Sequence, residues 1–213
     1  MLTTAESRRL YGTSVQPTPF RVLRAGPLEA RLENGNLRYV RHDGAEVLRA
    51  IAYVIRDRDW GTLVPFLDGM YVEERADRFS ATYGAVCVNG GASLKLHATI
   101  EGRSDGWLQF DVQATPDNDF ETNRCGFAIL PAIDSVAGAP VTVEHCDGSM
   151  EEAIFPDPIE PWQPFKSIRA LTHRPAPHLL AICRMEGDAF EMEDQQNWSD
   201  ASFKTYVRPL ELP

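Results

Sequence analysis

The stretch LEARLENGNLRYVR at residues 28–41 decides the fold class. Across residues 28–33, leucine and alanine alternate with charged side chains, so one face of the segment is apolar and the other is polar. Asn34-Gly35 follows, and both residues tolerate the positive φ angles of a two-residue hairpin turn. We therefore predict an antiparallel hairpin whose second strand covers residues 37–41.

Alternating or short apolar segments continue through most of the chain, separated by turn residues. The β-branched and aromatic content of residues 47–54 favours a strand over a helix, and only residues 115–122 are expected to hold a helical turn. The predicted strands cover residues 20–24, 28–33, 37–41, 47–54, 71–74, 78–88, 94–101, 107–114, 125–130, 140–145, 167–172, 179–185, 189–194 and 203–208. This pattern predicts an all-β fold, a large antiparallel two-sheet sandwich similar to the galactose-mutarotase-like supersandwich.

The domain organisation follows from chain length. A chain of 213 residues can bury one large core without disulfides or a structural metal. We assign residues 1–18 to an N-terminal extension and residues 19–208 to a single β-sandwich domain. Residues 209–213 (PLELP) are expected to form a linker toward a following catalytic domain.

The net charge of −10 restricts the class of partner. An acidic surface repels phosphate groups, so we expect neither nucleic acid nor a membrane as a partner. No segment approaches the roughly eighteen apolar residues of a spanning helix, and residues 1–10 lack the apolar block of a signal peptide. The sequence therefore predicts a cytoplasmic protein.

The cysteines and the missing motifs exclude several classes of enzyme. Cys87, Cys125 and Cys183 lie in apolar strand-like segments, so we expect reduced core thiols rather than disulfides or zinc ligands. The chain has no G-x-S-x-G elbow, no Gly-rich phosphate loop and no dinucleotide fingerprint. An α/β-hydrolase is therefore excluded, and no cofactor and no metal are predicted.

The densest group of chemically active residues is EGDAFEMEDQQNWSDASFKTY at 186–206. If residues 190–194 form a strand, Glu191 and Glu193 share one face, and Asp194 lies on the other with the apolar residues. Carboxylates and amides bind sugar hydroxyls, aromatic rings cover C–H patches, and a carboxylate near a lysine can act as a general base. The alternative is an acidic edge strand that leads into a solvated turn.

From this group and one histidine we select the candidate site residues. The predicted catalytic residues are His145, Glu191 and Glu193, and the predicted substrate-binding residues are Arg184, Asp194, Asn197, Trp198 and Lys204. The predicted ligand is a sugar, a sugar acid or a sugar lactone.

His145 lies in the polar segment EHCDG at 144–148. A histidine paired with a glutamate can transfer protons, as mutarotation requires. His145, Asp147 and Glu151 could instead bind a metal if the turn brings them together. Asp147-Gly148 alone is typical of a hairpin turn with charged flanks, and this is the interpretation we favour.

Two further polar segments precede or follow strands. In DRDWG at 57–61, Arg58 is interpreted as a structural residue that pairs with a carboxylate and holds the loop closed. Asn123-Arg124, just before the strand at 125–130, is interpreted in the same way.

Several segments together resemble one family. They are VLRAGPL (22–28), LRAIAYVIRDRDW (48–60), PVTVEHCDG (140–148), IRALTH (168–173) and the stretch at 183–206. These segments resemble the D-apionate lactonase family, whose members open D-apionolactone to D-apionate in bacterial apiose catabolism. The resemblance implies the N-terminal region of a longer lactonase, with a C-terminal barrel domain of the same polypeptide as its partner. It assigns no catalytic residue to this chain.

Three functions remain open. The chain is an accessory domain of a sugar-lactone hydrolase, a free-standing enzyme of the aldose-1-epimerase type, or a non-catalytic carbohydrate-binding module. The accessory function predicts an exposed apolar patch near residues 156–165 or the C-terminus, where a barrel would dock. The enzyme function predicts Glu191 or Glu193 within hydrogen-bond reach of a second titratable group in an open cleft.

Overall fold

The computed structural model describes residues 3–14, 18–157, 160, 164–194 and 200–208, and the regular secondary structure of this part of the chain is nearly all β. Two short helices are present, α1 (Thr4–Tyr11) and α2 (Ile133–Val136). The strands are β1 (Phe20–Ala25), β2 (Leu28–Glu33), β3 (Asn36–His42), β4 (Ala45–Arg56), β5 (Thr62–Leu63), β6 (Phe66–Glu74), β7 (Arg78–Asn89), β8 (Ala92–Arg103), β9 (Leu108–Pro116), β10 (Arg124–Leu130), β11 (Pro140–His145), β12 (Met150–Ile154), β13 (Ile168–Ala176), β14 (Leu179–Arg184), β15 (Phe190–Asp194) and β16 (Phe203–Val207). The all-β prediction is confirmed.

The described strands form two antiparallel sheets. The twelve-stranded sheet has the order β1-β2-β3-β4-β10-β16-β15-β13-β11-β12, with β14 paired to β13 and β5 paired to β4. The four-stranded sheet is the meander β6-β7-β8-β9. The prediction of packed antiparallel sheets is therefore confirmed, and strands far apart in sequence meet at the centre of the large sheet.

The hairpin at residues 28–41 forms as its sequence predicts. Asn34 and Gly35 have φ angles of 47° and 77°, which is the left-handed backbone that a tight turn requires. A Cβ atom added to Gly35 would lie 2.8 Å from the ring of Tyr83, whose hydroxyl donates a hydrogen bond of 2.7 Å to the carbonyl of Gly35. The turn thus contacts the other sheet, and glycine is needed there for space as well as for φ.

The apolar core lies between the sheets and continues beneath β13, β15 and β16. Phe110 on β9 and Phe127 on β10 join the sheets edge to face, with 5.1 Å between ring centroids. Further along, Phe155 stacks on Phe203 at 5.2 Å and meets Phe165 edge-on at 6.2 Å. Burial of each such ring stabilises the fold by about 1.5–3 kcal/mol, so this aromatic group fixes which face of β16 points inward.

The helices differ from the sequence expectation. The helical turn predicted within residues 115–122 is wrong, because β9 continues to Pro116 and the following residues are not helical. α1 instead begins at a capping box that the sequence analysis missed, in which Thr3 accepts from the Glu6 amide and the Glu6 carboxylate accepts from the Thr3 amide. Among the described residues, no helix has the length and hydropathy to cross a bilayer.

Candidate functional site

β15 and β16 place acidic and basic side chains on one face of the large sheet. Glu191 is opposite Tyr206, and Glu193 is opposite Lys204. The residues that alternate with them along each strand, such as Met192 on β15 and Phe203 on β16, are in the core. We call the side of β10, β15 and β16 that faces away from this core the outer face. The predicted alternation of Glu191 and Glu193 against the apolar residues of β15 is therefore confirmed.

Glu193 and Tyr206 contact each other directly on the outer face. The Tyr206 hydroxyl donates a hydrogen bond to Oε1 of Glu193, so Glu193 lies within hydrogen-bond reach of a second titratable group. Burial raises the pKa of Tyr206, and the negative charges of Glu193 and Glu191 raise it further. The tyrosine therefore stays a neutral donor at physiological pH, and it orients the carboxylate.

Lys204 adds a partly buried ammonium group to the same face. Burial lowers the pKa of Lys204, the charge of Glu193 raises it, and the guanidinium groups of Arg56 and Arg124 lower it. The Lys204 ammonium also lies 5.6 Å from the ring centroid of Tyr206. The outer face therefore holds several cations close enough to repel one another.

Arg124, at the start of β10, completes the group. Its guanidinium carbon lies 3.7 Å from the Tyr206 ring centroid and 5.1 Å from that of Trp60. The side chain is buried, with the residue 8% exposed, and its Nε has no hydrogen-bond partner in the described part of the chain. We call Arg56, Trp60, Arg124, Glu191, Glu193, Lys204 and Tyr206 the outer-face cluster.

The loop at residues 57–61 presents Trp60 to this cluster. Oδ1 of Asp57 accepts hydrogen bonds from the amides of Asp59 (2.9 Å) and Gly61 (2.7 Å), and Trp60 has a φ of 67°. A Cβ atom at Gly61 would lie 2.4 Å from Oδ2 of Asp57, so the loop closes only with glycine there. The Arg56 guanidinium reaches into the loop and donates to the carbonyl of Trp60 at 3.2 Å.

Two structural roles proposed from sequence need correction. Arg58 pairs with carboxylates as predicted, 3.8 Å from Glu121 and 3.9 Å from Asp59, but its side chain is largely exposed, and hydrogen bonds to Asp57 close the loop instead. Arg124 was expected to form a structural ion pair, but no carboxylate of the described residues lies within 4.0 Å of it. Asn123 does connect two segments, because its backbone amide donates a hydrogen bond to the Arg56 carbonyl at 3.0 Å.

The remaining candidate binding residues lie elsewhere or outside the described residues. Arg184 on β14 is paired with Glu144 on β11 (Nη2–Oε2 2.5 Å), and this contact lowers the pKa of Glu144. Asp194 is buried on the core-facing side of β15, where it accepts from the amide of Glu160 at 2.9 Å. Asn197 and Trp198 lie outside the described residues.

His145 ends β11 at the hairpin turn. Its Nδ1 lies 2.9 Å from the carbonyl oxygen of Lys166, and its Nε2 lies 3.0 Å from Oε2 of Glu151. Asp147 accepts from the amide of Ser149 at 2.9 Å, as expected of a hairpin turn. Both ring nitrogens of His145 are thus occupied by groups outside the outer-face cluster. No cluster of three or more potential metal ligands occurs among the described side chains.

The described surface also has two clefts, and neither includes a member of the outer-face cluster. One lies on the four-stranded sheet and is lined by Arg75, Arg78, Glu101 and Arg103 among others. The other lies beside Phe20, Asn34 and Met70. Both of these clefts are therefore separate from the outer-face cluster.

Sequence reasoning missed Arg56, Trp60 and Arg124 as members of the cluster. They join it because β10 pairs with both β4 and β16, which places Arg124 opposite Arg56 and brings Tyr206 next to Ala128. The one available signal was an arginine at the start of a strand whose other residues are apolar or small.

The fold and the cluster define an antiparallel β-sandwich domain with a mixed-charge patch on its larger sheet. Comparison with known proteins is more specific. The chain matches the family described as D-apionate lactonase, N-terminal domain, over residues 8–213. It is 53% identical over 205 residues to the D-apionate lactonase of Brucella anthropi. This chain belongs to the D-apionate lactonase N-terminal domain family.

The match covers 96% of this chain and 34% of the Brucella anthropi protein. The chain therefore spans about a third of the length of the curated relative that it matches. The activity of that whole protein is not a property that this part of the chain shows by itself.

Proposed function

We propose that this chain is the N-terminal domain of a sugar-lactone hydrolase in bacterial carbohydrate catabolism, and that its outer-face cluster binds the sugar ring of the lactone. Family membership supports the parent activity. Lactone hydrolysis adds water to the ring carbonyl and breaks the ring C–O bond, which leaves a hydroxy acid. D-apionolactone and D-apionate are the proposed substrate and product.

The observation that carries the binding role is the Glu193–Tyr206 hydrogen bond beside Lys204, on the face turned away from the core. Carboxylates accept hydrogen bonds from sugar hydroxyls, an ammonium group donates to ring and carbonyl oxygens, and an indole such as Trp60 covers C–H groups. Glu193 is also the candidate general base, because Tyr206 fixes its orientation and Lys204 lies opposite it. Glu191 is held 3.9 Å from Arg208.

The catalytic centre is proposed to lie mainly in the remaining part of a longer polypeptide. Docking of that part is supported by exposed apolar side chains at one end of the twelve-stranded sheet, on β12, β11, β13 and β14. Met150 and Ile154 on β12 are more than 60% exposed, and Leu180 and Ile182 on β14 are more than 50% exposed. Met150 is paired with Glu144 in the sheet, and Ile182 lies on the same face of β14 as Arg184, so the Glu144–Arg184 ion pair adjoins this apolar surface.

The docking surface can be tested by hydrogen–deuterium exchange on the 213-residue chain and on a full-length protein that contains it. We expect β12 and β14 to be more protected in the full-length protein, and β6 to exchange alike in both. Equal exchange of β12 and β14 in the two proteins would remove this surface from the proposal.

With the predicted catalytic residues, the aldose-1-epimerase alternative requires His145 at one site with Glu191 or Glu193. His145 contacts Glu151 and is not joined to Glu191 or Glu193 by any contact of the described residues. The accessory-domain function is therefore the one that the geometry favours. Sequencing of the gene beyond codon 213 separates the two, because a continuing frame of hydrolase length supports the accessory domain.

Binding and hydrolysis of D-apionolactone test the proposed function. We expect the 213-residue chain to bind the lactone in calorimetry without hydrolysing it, and the full-length protein to do both. Glu193→Gln and Trp198→Ala should weaken binding with little change in melting temperature, whereas Glu101→Gln, an exposed acid on the other sheet, should not. If Glu193→Gln binds like Glu101→Gln, the outer-face cluster is structural. Hydrolysis by the chain alone would contradict the accessory role.

A further inference from the structure

A guanidinium group without an anion is buried on the outer face. Arg124 is more than nine-tenths buried, its Nε has no hydrogen-bond partner, and no carboxylate of the described residues is within ion-pair distance. Removal of a charge from water is costly unless the charge is paired and hydrogen-bonded. A ligand that carries an anionic group would supply the missing partner.

The aromatic rings beside Arg124 do not fill this role. The guanidinium lies against the Tyr206 ring at 3.7 Å and within 5.1 Å of the Trp60 ring. Such cation–π contacts stabilise the charge and hold the guanidinium plane in one orientation. The rings accept no hydrogen bond from the five N–H donors of Arg124, so these donors remain available for an acceptor.

The charges around Arg124 are unbalanced toward the positive. Arg56 lies opposite Arg124 on the neighbouring strand, and the Lys204 ammonium and the Arg124 guanidinium lie 5.6 Å and 3.7 Å from the Tyr206 ring centroid. Of the two carboxylates on this face, Glu193 accepts from Tyr206 and Glu191 lies beside Arg208. A bound anion would satisfy the Arg124 donors and reduce the repulsion among the three cations at once.

We propose that Arg124, Lys204 and Arg56 form a carboxylate-binding subsite that takes the anion of a small sugar acid, the class of compound that lactone opening releases. A planar carboxylate matches the forked donors of a guanidinium group. The hydroxyls of the same molecule reach Glu193, and its C–H face covers the ring of Trp60. This subsite deepens the proposed function and rests on it: the lactone binds as a neutral ring, and the opened product is retained by its charge.

Calorimetric titration of the 213-residue chain with D-apionate, D-apionolactone and neutral D-apiose tests the subsite. We expect D-apionate to bind about tenfold or more tightly than D-apiose, with affinity that falls as salt concentration rises. Arg124→Met and Lys204→Gln should each remove most of this preference for the acid, because each weakens D-apionate binding more than D-apiose binding.

The matched control is Arg103→Gln. Arg103 stacks on Trp107 at 4.2 Å, so it is also an arginine–aromatic pair, but it lies on the four-stranded sheet. We expect this variant to bind D-apionate like the unsubstituted chain. If Arg124→Met does not fold, Lys204→Gln decides the result, because Lys204 is less buried.

The outcomes separate the subsite from the proposed function. If D-apionolactone and D-apiose bind but D-apionate binds no better, the subsite is wrong and the sugar-binding role stands. If none of the three binds, both are wrong. Glu211 is the one acidic side chain outside the described residues. If D-apionate binds only after Glu211→Gln, the anion beside Arg124 is the chain's own, and the proposal of a free sugar acid is overturned.

Discussion

Side chains alternate between two faces in both the β7–β8 hairpin and the β15–β16 hairpin, but the two hairpins differ in how the second face is buried. In β7, buried residues from Phe79 to Cys87 alternate with partly or fully exposed ones, so that one face makes core and the other meets solvent. In β15 and β16 nearly every residue is buried, whichever face it occupies. One face carries Phe203 and Met192, and the other carries Glu191 and Tyr206.

This difference contrasts a face buried with apolar side chains and a face buried with polar ones. Burial of apolar side chains needs no further explanation, since the hydrophobic effect drives it. Burial of carboxylate, phenol and guanidinium groups on a second face costs free energy that must be offset by specific contacts. The predictions that follow test whether the core face carries the stability and the outer face carries the binding.

The largest expected effect is on the core face of β16. Phe203 is fully buried and stacks on Phe155, so Phe203→Ala should lower the free energy of unfolding by about 3–5 kcal/mol. Urea denaturation measures this loss. Val88→Ala, at an exposed position of β7, is the control and should change stability by less than about 0.5 kcal/mol. A loss below about 1 kcal/mol for Phe203→Ala would show that this face is not tightly packed.

The next effect concerns a titratable group on the core side of β13. Burial lowers the pKa of His173 to about 4, and the nearby backbone of Val47 offsets a smaller part of that cost. Protonation is therefore favoured in the unfolded chain, and stability should fall as pH drops from about 6.5 to about 4, by about 3 kcal/mol.

Unfolding free energies at pH 7 and pH 4 measure this dependence. His173→Leu should remove the loss of stability that His173 protonation causes, whereas His178→Leu, at an exposed position in the same hairpin, should retain that loss. Identical pH profiles for the two variants would mean that His173 titrates normally.

A smaller effect is expected at the loop that presents Trp60. Gly61→Ala places a methyl group against the Asp57 carboxylate and should destabilise the fold by about 1–3 kcal/mol, with a change in tryptophan fluorescence. Gly84→Ala is the matched control on β7, where the nearest atom would be 3.7 Å from the new Cβ. Unchanged fluorescence and stability in Gly61→Ala would show that the loop closes without the Asp57 contact.

The smallest effect is expected at the Tyr206 hydroxyl. Tyr206→Phe keeps the ring that Arg124 packs against and removes the donor to Glu193, so stability should fall by about 1 kcal/mol. Lactone affinity should fall more clearly, because Glu193 is no longer held in one orientation. Calorimetry of this variant measures the loss of lactone affinity, and denaturation measures its loss of stability. Loss of stability with unchanged affinity would assign the hydrogen bond to the fold alone.

Sequence alone was sufficient for the local elements of both hairpins. Period-two patterns predicted their strands. In the β2–β3 hairpin, Asn34-Gly35 also predicted the turn, because these features depend on neighbours in the chain. The same reasoning placed Glu191 and Glu193 on one face. It did not join Arg124, Trp60 and Tyr206, because their contacts depend on β10 lying between β4 and β16. Strand order in a large sheet is set by packing of the whole core, which no local pattern encodes.

The most direct test of the account compares two neighbours on opposite faces of β16. In Lys204→Gln, we expect affinity for D-apionate to fall about tenfold while the free energy of unfolding changes by less than about 1 kcal/mol. In Phe203→Leu, we expect the free energy of unfolding to fall by about 1–2 kcal/mol while the folded protein keeps its affinity. The account is contradicted if Lys204→Gln loses stability as Phe203→Leu does and binds D-apionate as tightly as the unsubstituted chain.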